Sequence, residues 1–417
     1  MQAVRPRPHQ KFYGEGRTVL NGSRLLTDFS REGGYWVASG QSQRGRKHGE
    51  CSRDEPACNL PEGVFIDDRP LRQVLSKARL ESNAFYFDYA DGKIYLADDP
   101  SGRKVEATVA AFAFESMARD VLIGNVTIEK YASVAQKGAI QTTDGAGWTI
   151  ENCEVRWNSG AGIGIGSGGR VRNCDIHHNG QSGIAGFGQD IRIEQNRIRS
   201  NNIYGFDYTW EAGGAKLALS DGVVFRGNHV HDNIGPGLWC DIDCRNVVYE
   251  FNFVERNHDI GIFHEISFNA AIRNNVVRYN GRGYRNWFWR TEIGVAASQD
   301  VEVHNNTLTV AAGGCGIVLI DQGRRNRDGG TYKTRNNSVR ENDLTFEGAA
   351  CAGGVSDVRP DDENVAIIPE GNNNFSSNVY RVPRMSGPDR FVWGHNVMDW
   401  DQFRKKGLEQ GGQLIRF

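Results

Sequence analysis

An asparagine followed by alternating apolar residues recurs along most of this 417-residue chain. It appears as Asn125-Val-Thr-Ile, Asn152-Cys-Glu-Val, Asn173-Cys-Asp-Ile, Asn196-Arg-Ile-Arg, Asn228-His-Val-His and Asn252-Phe-Val-Glu. Then follow Asn275-Val-Val-Arg, Asn306-Thr-Leu-Thr and Asn342-Asp-Leu-Thr. The intervals are 27, 21, 23, 32, 24, 23, 31 and 36 residues. Most repeats continue through a polar turn, such as His178-Asn179-Gly180, into a second short strand, such as Gly160-Ala-Gly-Ile-Gly-Ile or Gly237-Leu-Trp-Cys-Asp-Ile. A period in the low twenties with this content is one turn of a parallel β-helix. A single coil cannot bury its own inward side chains. Coils stacked ~4.8 Å apart pair their backbones and bury a continuous column. The asparagines are expected to form a ladder at one bend, each amide bonding the next coil. A leucine-rich repeat would need its leucine consensus, and a propeller a longer blade period; neither is present. The predicted fold is therefore all-β: a right-handed parallel β-helix solenoid of about ten coils between Val121 and Val382.

Residues 1–120 read differently, as a segment holding a small antiparallel β subdomain at about 60–100. Its strands are Val64-Phe-Ile-Asp-Asp, Ala84-Phe-Tyr-Phe-Asp-Tyr and Lys93-Ile-Tyr-Leu-Ala, with an Asp91-Gly92 turn between the last two. Residues 383–417, with a short helix from about Asp399 to Lys406, are expected to cap the open end. The 51 glycines suit many short strands joined by turns. A net charge of −2 argues against nucleic acid as a partner. No apolar run approaches the ~18 residues of a membrane span. No secretory signal is visible, and the chain is expected to be secreted or extracytoplasmic, with its signal outside this sequence. Of the eight cysteines, Cys51 and Cys58 flank a polar loop that a disulfide would close. Cys153 and Cys174 hold equivalent repeat positions and read as buried thiols. Cys240 and Cys244 share a strand face but cannot bridge. Without a CxxC pair, zinc is not expected. Nothing in the sequence bears on oligomeric state.

Three intervals carry insertions, which in solenoids decorate one face: Ile203–Lys216, Gly281–Glu292 and Asp321–Tyr332. The first two are rich in Trp and Tyr. Rings stack on pyranose faces while polar groups bond hydroxyls, so Trp210, Trp239, Phe263, Trp287, Trp289 and Arg290 are expected to line sugar subsites. The bland alternative is that these rings only pack the loops onto the coils.

Between the aromatic insertions lie Gly237-Leu-Trp-Cys-Asp-Ile-Asp and Gly261-Ile-Phe-His-Glu-Ile-Ser. Alternation points Leu238, Cys240, Ile242, Ile262, His264 and Ile266 inward, and Trp239, Asp241, Asp243, Phe263 and Glu265 outward. Asp241 then stacks on Glu265, with Asp243 two residues along. Carboxyl groups ~5 Å apart suit a retaining glycosidase, and those ~6.5–9.5 Å apart an inverting one. Crowded acids repel, raising at least one pKa. The competing readings are a solvated acidic face or a calcium site made of the same oxygens. His264 reads as a core histidine unless the register shifts. Lys216 balances the acids or acts as a base, and Asp207 and Glu211 on the first insertion are placed to overhang the cluster.

The Asn-led coils from Asn125 to Asn342 resemble the right-handed β-helix superfamily of pectate-lyase-like carbohydrate-active enzymes. The hairpin stretch from Val64 to Pro100 is similar to the N-terminal β subdomain of secreted bacterial members. The resemblance implies a carbohydrate partner and covers hydrolases, lyases, C5-epimerases and phage tailspikes. The stretch from Glu211 to Lys216, followed by Arg226-Gly-Asn228, distantly resembles the alginate lyase and chondroitinase B pattern, but the Arg expected one coil later is missing. Asp241, Asp243 and His264 echo polygalacturonases, whose Arg-Xaa-Lys is also missing. The expected function is thus a secreted glycoside hydrolase of inverting type without cofactor. Asp243 and Glu265 would be acid and base, tuned by Asp241. A polysaccharide lyase or epimerase using Lys216 or His264, with Ca²⁺ on the acids, is the first alternative. A non-catalytic carbohydrate-binding solenoid is the second.

Overall fold

The computed structural model describes residues 3–283, 287–359, 361–383 and 390–417. They form two compact units. Of these described residues, unit one holds those up to 166, 174–186 and 200–212; unit two holds 167–173, 187–199 and those from 213 onward. Both are built from coils whose strands visit three parallel sheets in turn.

In unit one the first sheet stacks Lys11–Tyr13, Leu122–Gly124 and Thr149–Glu151. The second stacks Val19–Asn21, Thr127–Glu129, Glu154–Arg156 and Asp175–His177. The third stacks Phe114–Glu115, Gly138–Gln141, Ala161–Ile165 and Ser182–Gly186. Parallel pairing thus starts well before Val121, and the β subdomain is an insertion within the first coil. That subdomain is larger than the expected hairpins. Ser23–Leu25, Ser30–Glu32 and Tyr35–Ala38 join it, and the Ala84–Asp88 and Lys93–Leu96 strands pair antiparallel as expected. Its core is Leu26, Val64, Ile66, Phe85, Phe87, Ile94 and Leu96.

In unit two the inward rows are continuous. On the first sheet Val171, Ile193, Phe225, Tyr249, Ile272, Val303, Val339 and Phe375 stack coil on coil, each fully buried. Burial of this kind stabilises by ~25 cal/mol per Å² of apolar surface. The third sheet carries Gly213–Ala218, Leu238–Asp241, Ile262–Glu265, Thr291–Ala296, Cys315–Asp321 and Cys351–Ser356. Pairing also runs past Val382, because Gln413–Arg416 pairs parallel with Val379–Val382. The tail helix, Trp400–Lys405, starts at an Asp399–Gln402 capping box and buries Phe403 against Phe375 and Phe391.

The asparagine ladder exists, with a one-residue difference in register. Asn196, Asn228, Asn252, Asn275, Asn306, Asn342 and Asn378 are buried, and each of the first six sends its N–H and its Nδ2 to the next Oδ1 at 2.9–3.1 Å. Asn125, Asn152 and Asn173 instead occupy the preceding corner, with φ of 56°, 54° and 54°. The residues after the last two, Cys153 and Cys174, face inward, and the Cys153 N–H donates to Cys174 Sγ at 3.5 Å. Asparagine serves both positions because it tolerates left-handed backbone and also supplies an amide.

Cys51–Cys58 and Cys315–Cys351 are disulfides, and Cys153, Cys174, Cys240 and Cys244 are buried cysteines outside these two bridges. No helix among the described residues is long and apolar enough to cross a membrane.

Candidate active site

The third sheet of unit two carries a buried charged cluster. Its register pairs Lys216 with Trp239, Trp239 with Phe263 and Cys240 with His264. Asp241 and Glu265 are the next residues on their strands, pointing to the opposite side from Cys240 and His264. The Lys216 ammonium lies 2.8 Å from Asp241 Oδ2 and 3.7 Å from the centre of the Trp239 ring. Lys216, Asp241 and Glu265 are only 5, 6 and 7 % exposed. Asp241 Oδ1 is buried without a hydrogen-bond partner among the described residues. Arg324 Nη1 reaches Glu265 Oε1 at 3.2 Å. Burial, reinforced by the charge of Asp241, pushes the Glu265 carboxyl up to about 7, against the opposing pull of Arg324 and Lys216.

Asp243 departs from its expected place. Ile242 and Asp243 have φ of 51° and 57°, so the strand ends at Asp241 and the chain turns. Two successive left-handed residues break the alternation on which the Asp243 placement rested. Ile242 and Ile266 consequently leave the inner column and pack with Ala297 and Tyr332. Asp243 accepts a 2.9 Å hydrogen bond from the Tyr332 hydroxyl, with Arg327 Nε at 3.9 Å. His264 faces inward and is fully buried, with its Nδ1 3.4 Å from the Tyr249 hydroxyl. Burial holds its imidazole down at about 3, so it stays neutral.

The expected sugar-stacking rings are not an open row. Trp239 stacks on Phe263 at 5.4 Å, and Phe263 meets Trp289 edge-on at 6.2 Å. All three are buried in one apolar cluster, where Trp289 Nε1 donates to Asp357. Arg290 Nε donates to the Gly281 carbonyl. Tyr284 and the side chain of Trp287 lie outside the described residues. In unit one, Tyr204, Tyr208 and Trp210 pack against the Cys51–Cys58 loop, with Trp210 edge-on to His48. Asp207 caps the turn of helix at Tyr208–Glu211, accepting from the Thr209 N–H and hydroxyl. Glu211 accepts from Gln136 Nε2 at 2.7 Å.

Sequence reasoning missed Arg324 and Tyr332 as partners of the acids. The signal was the 36-residue interval between Asn306 and Asn342, which marked their loop as an insertion. It also missed Asp259, buried with an Oδ1 that has no hydrogen-bond partner among the described residues and a carboxyl that burial pushes well up. No group of His, Cys, Asp and Glu among the described residues is arranged to hold a metal ion.

A family model described as right handed beta helix region matches residues 138–295. The chain is a right-handed β-helix. The structure of XylC in complex with xylose matches it with a TM-score of 0.70 at 14 % identity, over 99 % of this chain and 79 % of that one. The A-module of the Azotobacter vinelandii mannuronan C-5 epimerase AlgE6 matches with a TM-score of 0.51 at 16 % identity, over 73 % of this chain and 77 % of that one. No curated protein sequence matches this β-helix. At these identities the likeness is one of fold, and the chemistry must be argued from the β-helix's own residues.

Proposed function

We propose that this β-helix is a glycoside hydrolase of the retaining type, with Asp241 as nucleophile and Glu265 as acid and base. The observation that carries the reading is one carboxyl pair in two opposed environments. Asp241 is ion-paired to Lys216, whereas Glu265 is pushed up to about 7. Such a split separates a nucleophile from a proton donor. Adjacent strands lie ~4.8 Å apart, near the ~5–5.5 Å separation of retaining pairs and short of the inverting range. Asp243, on which inversion was expected to rest, follows a left-handed Ile242 and is engaged by the Tyr332 hydroxyl instead.

In the first step Asp241 Oδ1 attacks the anomeric carbon as the bond to the leaving oxygen breaks, and Glu265 gives that oxygen its proton. In the second, water attacks the anomeric carbon, Glu265 takes the water's proton and the bond to Asp241 breaks. Lys216 holds Asp241 through Oδ2 and leaves Oδ1 for attack. An ammonium engaged by both a carboxylate and a ring suits a positioning cation better than a proton abstractor. Two disulfides favour an oxidising, extracytoplasmic setting.

The test uses nitrophenyl glycosides, xylosides among them because XylC was solved with xylose. Proton NMR of early product should show the substrate's anomeric configuration. Asp241→Asn should lose at least ~10²-fold in turnover. Glu265→Gln should be rescued by azide, giving the glycosyl azide of retained configuration. EDTA should leave the rate unchanged. An inverted first product, or new absorbance near 235 nm on uronic-acid polymers, would sink the reading.

A further inference from the structure

Unit one contains a cavity of about 210 Å³ between the inserted β subdomain and the loops around the Cys51–Cys58 disulfide. Gln73, Arg72 and Leu71 of the subdomain line it, with Glu55, Leu60 and Tyr204. This is far more than the ~15 Å³ that one water needs and less than the ~300–1,000 Å³ of drug-sized sites. The walls are mixed, with apolar faces from Leu60 and Leu71 beside a carboxylate and a guanidinium.

A hydrogen-bond chain fixes what the cavity lacks. Glu62 is buried; its Oε1 accepts the Gly45 N–H and its Oε2 the Tyr89 hydroxyl at 2.7 Å. Burial pushes the Tyr89 phenol far up, so it carries a single proton and spends it on Glu62. The Tyr89 oxygen then accepts from Gln73 Nε2 at 3.1 Å. This order forbids an amide flip, because the Gln73 atom facing Tyr89 must be a donor. Gln73 Oε1 is left buried with no partner among the described residues. An orphaned buried acceptor is destabilising, and a bound hydroxyl would offset that cost. Arg72 and Glu55, 3.9 Å apart, add a donor and an acceptor on the same wall. The rim is fitted closely: a Cβ on Gly205, which has φ of +72°, would stand 2.7 Å from Glu55 Cγ.

We infer that this cavity is a second, non-catalytic binding site for one neutral sugar residue, whose hydroxyl donates to Gln73 Oε1 and whose C–H face lies on Leu60 and Leu71. A pyranose combines apolar faces with hydroxyls around its rim, which matches the walls. Glu62, with both oxygens engaged, is not waiting for a cation.

Titration calorimetry of the full chain with xylose, glucose, galacturonic acid and choline tests it. A neutral sugar should bind saturably. Gln73→Met and the cavity-filling Leu60→Trp should each weaken that binding by about tenfold or more, the scale of one lost hydrogen bond. Both variants should melt within ~3 °C of the parent; if one does not, the other decides. Asp241→Asn should leave this binding intact, which separates it from the proposed active site. The inference falls if no neutral sugar binds at ~10 mM, if choline or galacturonate binds in preference, or if both variants bind as the parent does. It also falls if Asp241→Asn abolishes the binding, because the sugar then sits at the acid pair. Failure here leaves the hydrolase reading standing, and a hydrolase that fails its own test leaves this site standing.

Discussion

Two buried glutamates of unit two hold their protons near neutral pH, and each makes a different prediction. Glu265 is raised to about 7 by burial and by Asp241. As a proton donor it is active below that value, so kcat/KM should fall as pH rises through about 7, and a pH–rate profile checks this. Glu292 is raised to about 8 by burial. It accepts the Asn280 N–H at 3.1 Å and Asn280 Nδ2 at 2.6 Å. Unfolded, it would lose its proton near the ordinary glutamate value of 4.5. Its contribution is fully present below 4.5 and is lost as pH rises through about 8, because only the folded state still binds the proton. Glu292→Gln should therefore flatten the decline in melting temperature between those pH values; equal slopes for parent and variant would refute it. Asp241 and Glu265 were legible because alternation holds along their strands. Asp243 was not, because Ile242 gives no hint of a left-handed turn, a conformation costly for a β-branched residue. The partners Arg324 and Tyr332 come from a distant loop, whose path no local pattern encodes.

At the scale of the coil, the asparagines separate into two jobs that one letter conceals. In the ladder position Asn252 Oδ1 accepts from the Asn228 N–H and Nδ2, while its own Nδ2 donates to Asn275 Oδ1 and the Phe225 carbonyl. Asn252→Ala leaves several buried groups unpaired at ~1–3 kcal/mol each, and should lower the melting temperature by many degrees. Asn152 sits one position earlier, exposed, with φ of 54°. Asn152→Gly should shift stability by no more than ~0.5 kcal/mol. Thermal melts of the two variants discriminate the roles. At another bend Asn158, Asn179 and Asn201 form a ladder within unit one, and Asn233, Asn257 and Asn280 form one within unit two. In unit two this ladder and the one from Asn196 to Asn378 both end on a buried carboxyl. Glu292 receives Asn280, and Glu409 receives Asn378 from both its N–H and Nδ2. A terminal amide with no following asparagine needs such an acceptor. Neither glutamate stands out in the sequence, because its partner is a repeat position rather than a neighbour.

For the molecule as a whole, the repeat revealed the solenoid but not its ends. A repeat is recognised by comparison with its neighbours, and terminal coils diverge because they must also close an edge. Lys11–Tyr13 and Val19–Asn21 lack the Asn signature, yet they cover the edges of Leu122–Gly124 and Thr127–Glu129. At the other end Gln413–Arg416 covers Val379–Val382, and Glu409 closes the ladder through Asn378 and the Tyr380 hydroxyl. A chain trimmed to residues 121–382, the span the repeat suggests, would expose unpaired strand edges at both ends and leave Asn378 and Tyr380 without their buried acceptor. Exposed edges template association with further chains. The trimmed chain should accumulate as soluble aggregate or inclusion bodies, whereas one keeping residues 3–417 should elute as a discrete species in size-exclusion chromatography. Removing only residues 407–417 isolates the C-terminal contribution: it uncovers one strand edge and one ladder end while leaving the Trp400–Lys405 helix intact. It should destabilise unit two and leave the subdomain core around Phe85 and Ile94 protected in hydrogen exchange. Uniform loss of protection across both units would show that the closing strand matters to more than the coils it covers.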